Sequence, residues 1–263
     1  MSNIEQSQQL HKKFVDEFLA NPEAYKRITN YGIMYAPPTD NDHVVGVITN
    51  NALFDEHVVN FLSQYVTEGS TVIDVGCNRG QMSLFFSQIV GATGFVESIE
   101  ASDYLAMLCK HTFAVNDFAK NIRLHHAACW NESGVDMSML IPSTAVFSFY
   151  SGQGLKTPFK DDDRTEYMPE HNIVSLAIDD IEFKSPVSAI KVDIQGSDLH
   201  ALRGAKKTIA KYRPALAIEY EPYYDQYFDT SMKAYEDFLE EIGYEIVKKE
   251  RDGVDWFCLP KSA

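Results

Sequence analysis

The sequence predicts an α/β fold: a seven-stranded, mostly parallel sheet with helices on both faces and an antiparallel hairpin at its end. Two observations carry this reading. From residue 71 onward, apolar runs of strand length alternate with amphipathic helical patterns, which is how β-α-β units read. Farther on, YEIVKKE and VDWFCLP flank Arg251-Asp252-Gly253, and two β-runs around an Asp-Gly turn make a hairpin.

The elements follow in order. Ser2 and Glu5 have capping-box spacing, and Leu10, Phe14 and Phe18 recur every four residues. They predict a helix from about Asn3 to Ala20, stopped by Asn21-Pro22. Residues 30–52, with Pro37-Pro38 and TDND, read as irregular. A helix, FDEHVVNFLSQYV, leads into the first strand, TVIDV. GFVESIE is the second strand, followed by the helix SDYLAMLCKHTFAVN with Ser102 as its N-cap. NIRLHHAA is the third strand and VSAIKVDI the fourth. One helix, DLHALRGAKKTIAKY, places Leu199, Leu202, Ile209 and Tyr212 on one face. PALAIEY is the fifth strand, and SMKAYEDFLEEIG is a helix ending at Gly243. Between about Cys129 and His171 lies a long interruption containing TAVFSFY, Gly152 and Gly154, which reads as a functional loop or lid.

Composition excludes several classes. With 45% hydrophobic and 23% charged residues, the chain is an ordinary globular protein, large enough to bury a core without disulfides. No run approaches the roughly 20 apolar residues of a membrane span. MSNIEQSQQLHKKF is too polar and acidic for a signal or transit peptide, so a cytoplasmic location is expected. Cys77, Cys109, Cys129 and Cys258 are scattered, which suits reduced thiols and argues against a cysteine zinc site. A formal charge of −15 disfavours a nucleic-acid partner.

The stretch TVIDVGCNRGQMSL, residues 71–84, is where a ligand belongs. In an open parallel sheet, ligands sit beyond the carboxyl ends of the strands, where the strand order reverses. The spacing is D-x-G-x-x-x-G, unlike the G-x-G-x-x-G of dinucleotide sites, and no G-K-[ST] follows as in a phosphate-binding loop. Asp74 at the strand end would repel a pyrophosphate and attract an ammonium. S-adenosyl-L-methionine (SAM) has an α-ammonium and a sulfonium, and no phosphate. Gly76 permits close approach of a ligand, and Gly80 lets the helix start against the strand. Glu100 ends the second strand, where two acceptor oxygens suit the paired hydroxyls of a ribose.

VIDVGCNRGQMSLFF, GATGFVESIEAS and AIKVDIQGSDLHALRGAKK…RPALAIEYEP resemble the successive motifs of the FkbM family of SAM-dependent methyltransferases, over roughly residues 50–225. The terminal hairpin likewise fits the Rossmann-like sheet of class I methyltransferases. The resemblance implies methylation of hydroxyls on sugars, glycans or secondary metabolites. It implies a cofactor site on Asp74, Gly76, Asn78 and Gly80, and on Glu100 with Ala101. Ser102, beyond the end of the second strand, and Ala128, at the end of the third, complete the expected set. Residues 1–52 are then an N-terminal helical extension with a substrate-side loop, and 53–263 the methyltransferase domain. A small-molecule or saccharide acceptor is expected, with a homodimer left open. Two departures stand out. Cys77 stands where the family usually has alanine. The D-x-E-G-x-E pattern reads here as Asp193-Ile194-Gln195-Gly196-Ser197-Asp198. Gln195 cannot accept a proton, which keeps open a SAM-binding protein with a degenerate, non-catalytic site.

Strand alternation places Lys191, Asp193 and Gln195 on one face, and Glu219 and Glu221 on one face of the next strand. Asp193 and Glu219 are the expected polar groups beside the transferred methyl. Lys191 pairs with Asp193, or serves as a base if burial lowers its pKa. His125, His126, His171 and His200 are the other possible bases; His125 and His126 read more simply as a polar strand end, and no metal is expected because no ligand spacing appears. EPYY, residues 221–224, reads as a rim of the acceptor pocket or as packing. Lys206, Lys207, Lys211 and Arg213 read as a dipole-complementing helix end. Phe147, Phe149 and Tyr150 suit either stacking on a ligand or core packing. N-methylation of a small metabolite is the nearest rival activity.

Overall fold

The computed structural model describes residues 3–38, 42–142, 153–156 and 167–262. The first part comprises α1 (Asn3–Ala20), β1 (Lys26–Thr29), β2 (Gly32–Tyr35), α2 (His43–Thr49) and α3 (Glu56–Leu62). There follow β3 (Thr71–Val75), α4 (Gln81–Val90), β4 (Phe95–Glu100), α5 (Asp103–Val115) and β5 (Ile122–His126). Then come β6 (Ala128–Cys129), β7 (Asp136–Pro142), β8 (Gly154–Lys156) and β9 (Tyr167–Leu176). The remainder is β10 (Val187–Val192), α6 (Asp198–Arg203), α7 (Lys206–Tyr212), β11 (Ala215–Glu219), α8 (Asp225–Phe228), α9 (Met232–Glu241), β12 (Tyr244–Glu250) and β13 (Asp255–Pro260).

The main sheet has the order β12-β13-β11-β10-β3-β4-β5. β3 pairs in parallel with both β4 and β10, so the chain runs outward through β4 and β5 and then returns to the other side of β3. That reversal is the switch point at which open sheets bind ligands. The expected hairpin is present, and its last strand turns inward: β13 lies antiparallel between β11 and β12.

Every residue of β3 and β11 is buried, as strands covered on both faces must be. On one face Ile73, Ile190, Leu216 and Ile218 meet Leu199, Leu202, Ile209 and Leu239. On the other, Val72, Val96 and Ala217 meet Val59, Leu62, Phe86 and Phe257. Each such large side chain gains roughly 1.5–3 kcal/mol by leaving water, and this holds the strand ends in place.

Three regions differ from expectation. Residues 30–52 contain strand β2 and helix α2. Side chains of α5 complete the β1–β2 hairpin: Ile33 N donates to Asn116 Oδ1 (2.9 Å) and Tyr35 N to Thr112 Oγ1 (3.1 Å). Helix α2 is capped by Asp42, whose Oδ1 accepts from Val44 N and Val45 N. The interruption after Cys129 holds a second sheet, β6-β9-β7-β8. Residues 143–152 and 157–166 lie outside the described residues, and with them TAVFSFY, Phe147, Phe149, Tyr150 and about half of the expected lid. The single helix expected over 198–212 is two, broken around Gly204, where a Cβ would stand 2.1 Å from Trp130 O. Among the described residues, no helix is long and apolar enough to cross a membrane.

Candidate active site

The β3–α4 turn is held in an unusual backbone conformation. Gly76, Asn78 and Gly80 all have positive φ (75°, 52° and 80°). A Cβ on Gly76 would stand 2.0 Å from Asp193 O, so the ends of β3 and β10 nearly touch there. A Cβ on Gly80 would strike the Phe113 ring of α5 at 2.5 Å. Glycine is required at both for space as well as for φ.

Two acids frame this turn. Asp74 is wholly buried. Its Oδ2 accepts from Ser83 Oγ (2.6 Å), while Oδ1 has no hydrogen-bond partner and lies 3.6 Å from Lys191 Nζ. Glu100 is fixed by backbone donors: Oε2 accepts from Asn78 N (2.8 Å) and Oε1 from Ser102 N (2.9 Å). Each carboxylate oxygen can accept a further hydrogen bond from a ligand.

At these strand ends opens a cleft of about 910 Å³. Of the residues expected from the sequence, Asp74, Gly76, Asn78, Glu100 and Ala101 line it, together with Lys191 and Asp193. Gly80 and Ser102 stand behind it, as the start of α4 and the N-cap of α5. Ala128 is buried in β6, and Glu219 faces a neighbouring cavity. Apolar wall comes from residues the sequence did not mark: Val44 and Phe54, Leu105, and Met139 with Leu155 from the second sheet. None carries a local signal, because the elements that present them read as irregular or as plain core.

On the β10–β11 side the residues are charged. Lys191 Nζ donates to Val75 O (3.1 Å) and Gly76 O (2.7 Å) and lies 3.5 Å from Asp193 Oδ2. Burial disfavours its charge, but Asp193 and Asp74 outweigh burial and raise its pKa, so it stays an ammonium. Burial likewise opposes ionisation of Asp193. Lys191, a hydrogen bond from Glu219, and Arg251 prevail and hold it below the usual carboxylate range. Glu219 moves the other way, well upward, because it is buried and faces the charge of Asp193. Burial and like charge thus push the two carboxyls apart, Asp193 towards the ionised form and Glu219 towards the protonated one.

Around that pair, Arg251 Nη2 reaches Glu219 Oε1 (2.5 Å) and also binds Asp255, which contacts His57 Nε2 (2.6 Å). Gln195, at φ 55°, donates to Glu219 Oε2 (3.3 Å) and accepts from Tyr224 Oη (2.9 Å). A side cavity of about 240 Å³ is lined by Asp55, Lys191, Asp193, Glu219 and Asp255, among others. Asp198 accepts from Ile194 N and Gly196 N, and burial together with Asp193 pushes it up to about 8.

The histidines are occupied elsewhere. His125 binds Glu97 (2.7 Å) and His126 lies 3.1 Å from Asp103. His200 stacks on Trp130 at 4.0 Å and contacts Phe228 O (2.9 Å). The His171 side chain is outside the described residues. Among the described residues no three His, Cys, Asp or Glu side chains are placed to hold a metal ion. In the basic cluster, Arg213 donates to Ile242 O and Gly243 O, tying down the end of α9.

The unpartnered Asp74 carboxylate oxygen, the Glu100 carboxylate and the apolar walls fit a cofactor with an ammonium, a ribose and no phosphate. Sheet order and cleft together define a class I, SAM-dependent methyltransferase. The model of the methyltransferase FkbM domain matches residues 74–246, and the chain belongs to that family, whose cofactor is SAM. No curated protein matches it. Among solved structures, it is similar to a methyltransferase FkbM from Methylobacillus flagellatus KT, at 17% identity and a TM-score of 0.48. That similarity covers 92% of this chain and 59% of the other, so the chain spans about three fifths of that structure's length. It is also similar to a SAM-dependent O-methyltransferase from Thermotoga maritima (12% identity, 90% and 86% covered, TM-score 0.46). A SAM-dependent methyltransferase from Aquifex aeolicus shows 18% identity, 79% and 88% coverage and a TM-score of 0.39.

Proposed function

We propose that this methyltransferase acts on a hydroxyl group of a small acceptor of the sugar, glycan or secondary-metabolite class. The observation that carries the reading is Asp193: a carboxylate on the cleft, 3.5 Å from Lys191 Nζ, with its pKa held low while that of the neighbouring Glu219 is raised. Bound SAM supplies an electrophilic methyl group. Asp74 Oδ1 receives the cofactor's ammonium, and Glu100 receives its ribose hydroxyls. Methyl transfer is an in-line displacement, so holding the acceptor oxygen in line supplies much of the rate. Asp193 accepts the hydrogen bond of the acceptor hydroxyl and takes its proton as positive charge develops on the oxygen. Lys191 remains an ammonium that keeps Asp193 ionised and grips the carbonyls of Val75 and Gly76. The raised pKa of Glu219 opposes a second negative charge beside Asp193.

The acids around the side cavity favour a second reading, N-methylation, since they would attract an amine as its ammonium. A panel of sugars, hydroxylated aromatic compounds and amines, assayed for S-adenosylhomocysteine release, separates the two. Hydroxyl acceptors should turn over, and Asp193→Asn should slow them by about 100-fold with cofactor affinity unchanged. Turnover confined to amines, or a near-normal rate in Asp193→Asn, would overturn the proposal.

A further inference from the structure

Among the described residues lining the cofactor cleft, Asp74 Oδ1 and Arg79 Nε are buried polar atoms that lack a hydrogen-bond partner, and they belong to side chains of opposite charge. Asp74 stands in β3 next to the β3–α4 turn, and Arg79 stands in that turn. Arg79 is 1% exposed. Its Nη1 donates to Asn78 Oδ1 (2.8 Å) and its Nη2 to Asp42 Oδ2 (2.7 Å). Asp42 is itself held as the cap of α2. The guanidinium is therefore clamped at its two terminal nitrogens, and the Nε–H is left over.

A charged N–H taken out of water without an acceptor is more costly than a neutral one, and such groups persist where something satisfies them. The planar guanidinium matches a carboxylate, and a bare carboxylate oxygen matches an ammonium. An α-amino acid carries both groups on one carbon. We infer that Arg79 binds the α-carboxylate of the cofactor's amino-acid end through its Nε–H, beside the ammonium held by Asp74. This rests on the SAM reading of the cleft. It makes Arg79 a binding residue, and makes Asp42 a positioning residue acting through it, so that helix α2 contributes to cofactor affinity through its cap.

Calorimetry with three ligands tests this. S-adenosylhomocysteine has the whole amino-acid end. Decarboxylated S-adenosylhomocysteine lacks only the carboxylate, and methylthioadenosine lacks the entire end. Wild-type protein should bind S-adenosylhomocysteine at least about tenfold more tightly than its decarboxylated form. Arg79→Lys keeps the cation but loses Nε, so this preference should shrink towards unity while methylthioadenosine binding stays within about twofold. If Arg79 only shapes the turn, all three ligands weaken together, which overturns the inference. Should the variant fail to fold, nitrogen-15 spectra of the wild type decide instead. The Arg79 Nε–H signal should move with S-adenosylhomocysteine and stay put with its decarboxylated form, and equal responses overturn the inference. Equal affinity of the wild type for S-adenosylhomocysteine and its decarboxylated form, with methylthioadenosine weaker, refutes the Arg79 contact alone. No binding of any of them refutes the cofactor reading as well.

Discussion

On the β3–β4 side of the cleft, backbone conformation holds the polar groups; on the β10–β11 side, side chains hold one another. Gly76, Asn78 and Gly80 sit at positive φ, and two backbone amides fix Glu100. Opposite them, Lys191, Asp193, Gln195, Glu219, Tyr224 and Arg251 form a linked polar network. A cofactor site must present one rigid shape, which glycine turns and amide donors provide. On the proposed acceptor side, burial combined with like charge spreads the carboxyl pKa values apart, as proton placement would require.

The comparison breaks most visibly at its two glycine turns. Gly76→Ala adds a Cβ against the backbone of Asp193 at a left-handed position, 2.0 Å from its oxygen. Calorimetry should show cofactor binding abolished, and melting should show a loss on the order of 2–4 kcal/mol. Gly196→Ala meets Tyr224 Cβ at 2.1 Å and displaces the acceptor side instead. It should leave cofactor affinity within a few fold while acceptor turnover falls. Wild-type cofactor affinity in Gly76→Ala would show that the turn is not what shapes the site.

The cofactor half was legible in the sequence because its determinants are local: an acid, two glycines and a helix start within a single turn, and an acid one strand on. The acceptor half was half legible. Strand alternation places Asp193, Lys191 and Glu219 at the correct edge, but their protonation depends on Arg251, whose tripeptide reads only as a hairpin turn. Tyr224 reads as a pocket rim or as packing, and nothing local ties it to Gln195. Likewise β2 carries no clear strand signal, because side chains of α5 and its C-cap Asn116 satisfy hydrogen bonds along it. Strands β7 and β9 of the second sheet lie in a segment whose length and polarity suggest a loop.

A pH series sharpens the contrast on the acceptor side. The Asp198 carboxyl rises from its ordinary 3.8 to about 8 in the folded protein. Its proton is therefore retained by the folded chain at pH values where the unfolded chain has released it. The associated stability is complete below about pH 4 and is lost as pH rises to about 8, on the order of a few kcal/mol. Glu219 and Glu221, also raised by burial, act in the same direction, and Asp193, held low, opposes them. Denaturant titrations from pH 5.5 to 8.5 should show falling stability, with a flatter slope in Asp198→Asn. An unchanged slope in that variant would remove Asp198 as its source.

The most direct test of the cofactor site is titration calorimetry of SAM and S-adenosylhomocysteine on the wild type and on Glu100→Ala. Glu100 offers a charged acceptor to the ribose, a contact worth roughly 1.5–3 kcal/mol. Both ligands should bind the wild type, and the variant should bind them about 10- to 100-fold more weakly. Absence of binding to the wild type, or equal affinity in the variant, would contradict the assignment of the cofactor to this cleft.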